Sequence, residues 1–204
     1  MPTGTPIHDI REQLFTAAEH VLLRDGPDAL TSRAVTTQAG VAKGILHRHF
    51  PDFDAFLAAL TLSQIERLDS LSTKLRAAAG TGTVLENLVD TLAAALTPTA
   101  IGIINLVCAR QALLKRLRLI TPAGIPVAAE ITKIVAAYLT AERGLGRIAI
   151  DTDVDALAIL LVGGAHLRAT EKDNLLLDPA DLRNVVKAGI GSGVTRQPHE
   201  ARSA

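Results

Sequence analysis

Between Ala29 and Pro51 the chain has no Asp or Glu, while Arg33, Lys43 and Arg48 carry fixed positive charge and His47 and His49 add titratable donors. Such a stretch suits a polyanion, because Lys and Arg release condensed counterions from phosphates and a carboxylate among them would oppose this. The charge is local. Lys plus Arg and Asp plus Glu both number 21 in the 204 residues, so no global excess draws the protein toward nucleic acid or a membrane.

Other chemistries find less support. His47 and His49 are two residues apart, which on a helix points them in different directions, and no nearby carboxylate or Cys completes a shell, so no metal is expected. Cys108 is the single cysteine. It lies in the apolar run Ile101–Ala109 and reads as a small buried core residue rather than a nucleophile. One cysteine also excludes an internal disulfide and suits a reducing compartment. No phosphate-cradling loop, dinucleotide glycine turn, G-x-S-x-G or H-E-x-x-H occurs, so no catalytic residue and no cofactor is expected. The N-terminal MPTGTPIHDIREQ lacks a basic region followed by an apolar core. The longest apolar run, Ala156–Ala165, is about half of the roughly 20 residues that span a bilayer. The expectation is a cytoplasmic protein without a membrane segment.

The elements that must position the cationic stretch are helical. Ile10, Leu14, Ala17, Ala18, Val21 and Leu22 form one stripe of a first helix that Gly26-Pro27 ends. Thr31 or Ser32 caps a short helix running to about Ala39, Gly40 turns the chain, and a third short helix spans about Ala42 to His47. Val35, Ala39, Val41 and Leu46 are placed to bury against the first helix, leaving Arg33, Ala42, Lys43, Ile45, His47 and Arg48 outward. A helix, a glycine turn and a second short helix make a helix-turn-helix, whose second helix enters the major groove of DNA. There Lys43 and Arg33 can reach phosphates or guanine edges, Ile45 a thymine methyl, and His47, Arg48 and His49 phosphates. Gly44 would let the backbone approach closely.

Pro51-Asp52 opens what reads as one long helix to Ala79, with Phe53, Phe56, Leu57, Leu60, Leu68, Leu71 and Leu75 on one face and a length of roughly 40 Å. Further helices are expected at about 83–96, 99–119, 124–143, 152–169 and 179–188, with breaks at Pro98, Pro122, Gly144, Gly146 and Pro179. No segment shows strand alternation, so the fold class is all-α. The polar stretch GSGVTRQPHEARSA, residues 191–204, reads as a disordered tail.

From Phe15 to Leu60 the chain resembles the N-terminal domain of the TetR family of bacterial transcriptional regulators. The residues that carry the resemblance are Gly26, Ala29-Leu30-Thr31, Val35, Ala39-Gly40-Val41, Lys43-Gly44, Leu46, His49-Phe50 and Phe56-Leu57. It implies a DNA-binding domain at 1–51, a helical ligand-binding and dimerisation domain at 52–190, and DNA contacts from Ser32, Arg33, Ala42, Lys43, Gly44, Ile45, His47, Arg48 and His49. It further implies a homodimer that binds double-stranded DNA and a small-molecule effector, most simply a repressor. The competing reading is an all-α protein-interaction adaptor that does not bind DNA. Three positions depart from the family pattern: His47 where Tyr is usual, Phe53 where Lys is usual and Thr36 where Ala is usual. The missing Lys removes a phosphate anchor, and His47 would make binding strengthen as pH falls.

Gly163-Gly164 interrupts an apolar helix at a cost of about 1 kcal/mol each relative to Ala, which suggests close helix approach. The resemblance assigns 155–169 and 179–188 to the dimer interface. Beyond Leu57 the only aromatic is Tyr138, so a stacking pocket for flat cations is poorly supported. An aliphatic cavity lined from Ile103, Ile104, Val107, Leu113, Leu117, Ile134 and Tyr138 is the expectation, with Asn105, Arg110, Gln111 or His166 orienting an apolar effector.

Overall fold

A computed structural model describes residues 7–121, 124–171 and 175–191, with side chains described from Ile10 onward. The described residues form eleven helices and no strand: α1 (Ile7–Asp25), α2 (Ser32–Gln38), α3 (Gly44–His49), α4 (Phe53–Glu66), α5 (Asp69–Ala77), α6 (Val84–Ala95), α7 (Pro98–Ala109), α8 (Gln111–Arg118), α9 (Pro126–Gly144), α10 (Val154–Thr170) and α11 (Pro179–Ile190). The fold class is all-α, a three-helix N-terminal domain followed by a helical bundle. No single helix is long and apolar enough to cross a membrane. Apart from Gly191, the expected tail at 191–204 lies outside the described residues.

The helices group into two compact units. One is drawn from the chain up to Arg67 and from Thr97–Ala129; the other from Leu68–Leu96, from Glu130 through α10, and from α11. The core of the first joins Leu14, Leu22, Leu30, Val35, Leu46 and Phe56, all nearly inaccessible. Its four phenylalanines are clustered: Phe50 meets Phe56 edge to face at 5.1 Å, Phe15 lies 5.7 Å from Phe56, and Phe53 stacks on Phe56 at 5.6 Å.

Two long helices expected from periodicity are each broken. The helix expected from Asp52 to Ala79 is interrupted at Arg67 and Leu68, which keep near-helical angles (φ −63°, ψ −20° and φ −78°, ψ −15°). Just before the break the Thr61 and Ser63 hydroxyls donate back to the carbonyls of Leu57 and Leu60, a pattern that bends helices. Arg67 itself is drawn off to Glu19 of α1, 2.8 Å away. The helix expected from 99 to 119 breaks at Arg110, whose backbone is extended (φ −115°, ψ 92°). Its guanidinium donates to the Leu30 carbonyl at 2.9 Å and lies 5.7 Å from the Phe53 ring centre. Cys108, expected to be buried, is exposed: the apolar run ends with α7, and in that last turn Cys108 and Ala109 lie outside the side packed by Ile103, Leu106 and Val107.

The second unit contains a buried ion pair. α9 ends in a Schellman turn in which Gly146, at φ +71°, donates to Arg143 and Arg147 donates to Glu142. That turn folds Arg147 back over the helix end, so its guanidinium lies 3.3 Å from Glu142 Oε2. Glu142 is fully buried and Oε2 makes no hydrogen bond, so Arg147 is its charge partner. Glu142 Oε1 accepts from the Gly80 backbone N–H at 3.2 Å, and Arg147 Nη2 donates to the Gly82 carbonyl at 2.7 Å. Asn87 Nδ2 donates to the Thr81 carbonyl and to the Tyr138 hydroxyl, both at 2.9 Å. Burial, followed by the neighbouring Glu142, pushes the Tyr138 phenol above its ordinary range. The loop at 80–82 is thus tied to α9 and α6 through polar groups. Replacing one partner of a buried pair leaves an uncompensated charge, so Arg147→Met is expected to lower unfolding free energy by about 3–5 kcal/mol. Adding Glu142→Leu should recover part of the loss. Urea denaturation of the three proteins checks this; an Arg147→Met protein as stable as the parent would remove the pair from the account.

Candidate nucleic-acid interface

α2 starts where Thr31, in extended backbone, accepts the Ala34 N–H on its hydroxyl at 3.2 Å. It ends in a second Schellman turn: Gly40 donates to Thr37 at 3.1 Å and Val41 to Thr36 at 3.0 Å. Gly40 stands at φ +66°, a region a side chain enters only with strain. From α1, Gln13 Nε2 donates to the Ala39 carbonyl at 2.8 Å, which holds the turn against the first helix. Arg24 donates to Gln38 at 3.0 Å and pairs with Asp25. Thr36, at a position where Ala was expected from the resemblance, is buried, and its hydroxyl donates to the carbonyls of Ser32 at 2.9 Å and Arg33 at 3.2 Å. The extra polar atom is satisfied inside its own helix.

α3 spans Gly44–His49, two residues later than periodicity suggested, with Lys43 in the N-cap position. Leu46 is fully buried and Phe50 nearly so. Arg11 of α1 lies over the Phe50 ring, 4.6 Å from its centre. Of the nine residues expected to meet DNA, Arg33, Ala42, Lys43, Gly44, His47 and Arg48 are exposed, and Ser32, Ile45 and His49 are half-buried. Ala39 and Val41, expected to be buried, are also intermediate. Arg33, Lys43 and Arg48 form no ion pair among the described residues. Ser32 Oγ is buried and unpartnered at the α2 entrance.

Of the flanking carboxylates, Asp52 is occupied, whereas Asp28 and Asp54 form no ion pair among the described residues. Asp52 caps α4, accepting the Ala55 N–H at 2.6 Å, and pairs with Arg116 of α8 at 2.8 Å. The Ala55 hydrogen bond and then Arg116 hold its carboxyl below the usual range. Gln13, Arg110 and Arg116 are positioning residues that periodicity did not single out. Their partners are 26, 80 and 64 residues away, and no local pattern encodes a contact at that separation. Phe53, where a Lys was expected, belongs to the aromatic cluster instead.

The residues proposed for a ligand are divided between the two units. Ile103, Ile104 and Val107 are buried in α7, and Arg110 and Gln111 sit at the α7–α8 break in the same unit, Arg110 engaged with Leu30 and Gln111 exposed. Tyr138 and His166 belong to the other unit. Tyr138 is buried; His166 is half-buried, its Nε2 is unpartnered, and burial lowers its proton affinity. Among the described residues no three His, Cys, Asp or Glu converge as a metal site.

With this geometry in hand, the similarities to known proteins fall into one pattern. Residues 14–60 match the family of bacterial regulatory proteins designated tetR. No curated protein sequence matches the chain. Among solved structures, a Saccharomonospora viridis protein in complex with choline superposes with a TM-score of 0.71 at 16% identity, covering 93% of this chain and 100% of that one. E. coli NemR in its reduced form gives 0.70 at 16% identity, over 92% and 98% of the two chains. A TetR-family transcriptional regulator from Agrobacterium tumefaciens gives 0.68 at 13% identity, over 91% and 97%. Residues 14–60 thus match the family of bacterial regulatory proteins designated tetR, and the chain shares its all-helical fold with a solved TetR-family transcriptional regulator.

Proposed function

We propose that the chain is a ligand-responsive transcriptional repressor that binds a palindromic DNA operator as a homodimer and is released by a small apolar effector. The observation that carries the reading is the exposed face of Arg33, Lys43, His47 and Arg48 on a helix-turn-helix without a carboxylate. α3 lies in the major groove, Arg33 and Lys43 meet phosphates or guanine edges, and Ser32 offers its unpartnered hydroxyl to the backbone. A non-enzymatic role follows from the same reading.

The dimer forms through α10 and α11. Ile159, Leu160 and Leu167 are 61%, 68% and 62% exposed, an apolar stripe of a kind a soluble chain rarely leaves bare. The two glycines of α10 divide the work. A methyl at Gly164 would come within 3.0 Å of Val185 in α11, whereas Gly163 faces open space on the stripe, where a second copy can approach. Symmetric association places two recognition helices against half-sites about 34–36 Å apart. The effector acts by population shift, favouring a state in which the 52–79 segment swings and no longer matches that spacing. The choline complex of a protein with the same fold supports small-molecule binding, and the single aromatic after Leu57 supports an aliphatic ligand.

Four measurements test this. Selection from a random DNA pool should return an inverted repeat. Arg33→Ala with Lys43→Ala should weaken binding and make the slope of log affinity against log salt shallower by about two; unchanged DNA binding would favour the protein-interaction adaptor. Gly44→Ala is neutral or slightly stabilising, since the added methyl meets no atom within 4 Å, yet it should weaken DNA binding by blocking close approach of the α3 backbone. An equal affinity would show that the backbone stays distant. Leu160→Glu should convert a dimer to a monomer in sedimentation equilibrium and lower operator affinity with it, whereas a mutant that stays dimeric would move the interface elsewhere.

A further inference from the structure

α5 and α6 line a solvent-open cavity of about 220 Å³ within the second unit. Leu71, Leu75 and Ala78 form its apolar side, and Asn87 and Thr91 supply an amide and a hydroxyl opposite. Lys74 and Asp90 also line it, one positive and one negative, and neither is ion-paired among the described residues. Asp90 lies near Arg183, whose guanidinium is already gripped by both oxygens of Glu86. The Asn87 amide is fixed rather than free: its nitrogen is committed to Thr81 and Tyr138, so the wall it forms is held by the buried Glu142–Arg147 network.

We propose that this cavity binds a zwitterion with an aliphatic body, an α-amino acid of about the size of leucine. The charges decide the class. An anion would answer Lys74 and face Asp90, and a cation would do the reverse; a ligand carrying both satisfies both, with carboxylate toward Lys74 and ammonium toward Asp90. The body is set by Leu71, Leu75 and Ala78, which offer dispersion contact and no ring to stack on. The size is compatible with the volume: an enclosed apolar cavity of about 150 Å³ holds benzene, and the 220 Å³ of this open cleft has room for the body of leucine. This site is separate from the DNA-binding face and does not rest on the operator reading.

Calorimetric titration of the full chain with L-leucine, in the absence of DNA, tests it. The two controls are 4-methylpentanoate, which keeps the body and the carboxylate, and 3-methylbutylamine, which keeps the body and the ammonium. Leucine should bind, and each control should bind about two- to fivefold more weakly, the loss expected when one exposed ion pair is removed. Lys74→Gln and Asp90→Asn should each weaken leucine by about the same factor. Both side chains are exposed, so the variants keep the parent's helical circular dichroism and melting temperature, and loss of binding cannot be laid to misfolding. No heat with leucine, equal binding of either control, or leucine affinity indifferent to both substitutions overturns the assignment. Because DNA is absent, none of these outcomes bears on the operator reading, which a failed DNA selection would overturn on its own.

Discussion

Positive charge has to stay unanswered if it is to meet a phosphate, and much of the N-terminal architecture enforces that condition. The stretch from Ala29 to Pro51 contains no acid, and two of the acids that flank it are engaged elsewhere. Asp25 is held by Arg24, and Asp52 is held by the Ala55 N–H and by Arg116, a residue of α8. Arg24 and Arg116 thus engage two carboxylates that could compete for the cations of the helix-turn-helix. Gln13 serves the same end by a different route, pinning the turn so that α3 stays presented.

The local part of this arrangement was legible in the chain. Thr31 as a cap, Gly40 as a turn, and Val35 and Leu46 as inward residues follow from short-range rules, and the structure places each accordingly. Helices longer than a few turns were read less well. Periodicity cannot distinguish one rod from two bent segments when every residue on the stripe remains apolar. At the break after α4, hydroxyls bond back to their own helix and Arg67 reaches Glu19. The break at Arg110 arises because its side chain serves Leu30 and Phe53, 80 and 57 residues away in the chain. Cys108 escaped for a related reason: an apolar run says that a helix is buried somewhere, not on which side.

The candidate DNA face was more legible than the ligand residues, and the physics explains the difference. A groove-entering helix is a local object whose charge pattern and turn lie within twenty or so residues. A cavity is made by helices meeting, so its lining comes from separated segments and its polar groups look like ordinary surface residues until the packing is known. Lys74 and Asp90 carry no signal of this kind in the sequence, and they stand out only because α5 and α6 lie side by side with neither charge paired.

The partition of aromatic residues has a practical side. All four phenylalanines lie in the first unit, the single tyrosine is buried in the second, and the chain has no tryptophan. Each half therefore carries its own optical label without any engineering. Tyrosine emission registers the environment of the second unit alone, quenched or freed as Asn87 and Glu142 hold or release the phenol, while the phenylalanine fine structure in near-ultraviolet dichroism registers the first. Whether the halves melt together or in succession can be read from one unlabelled sample.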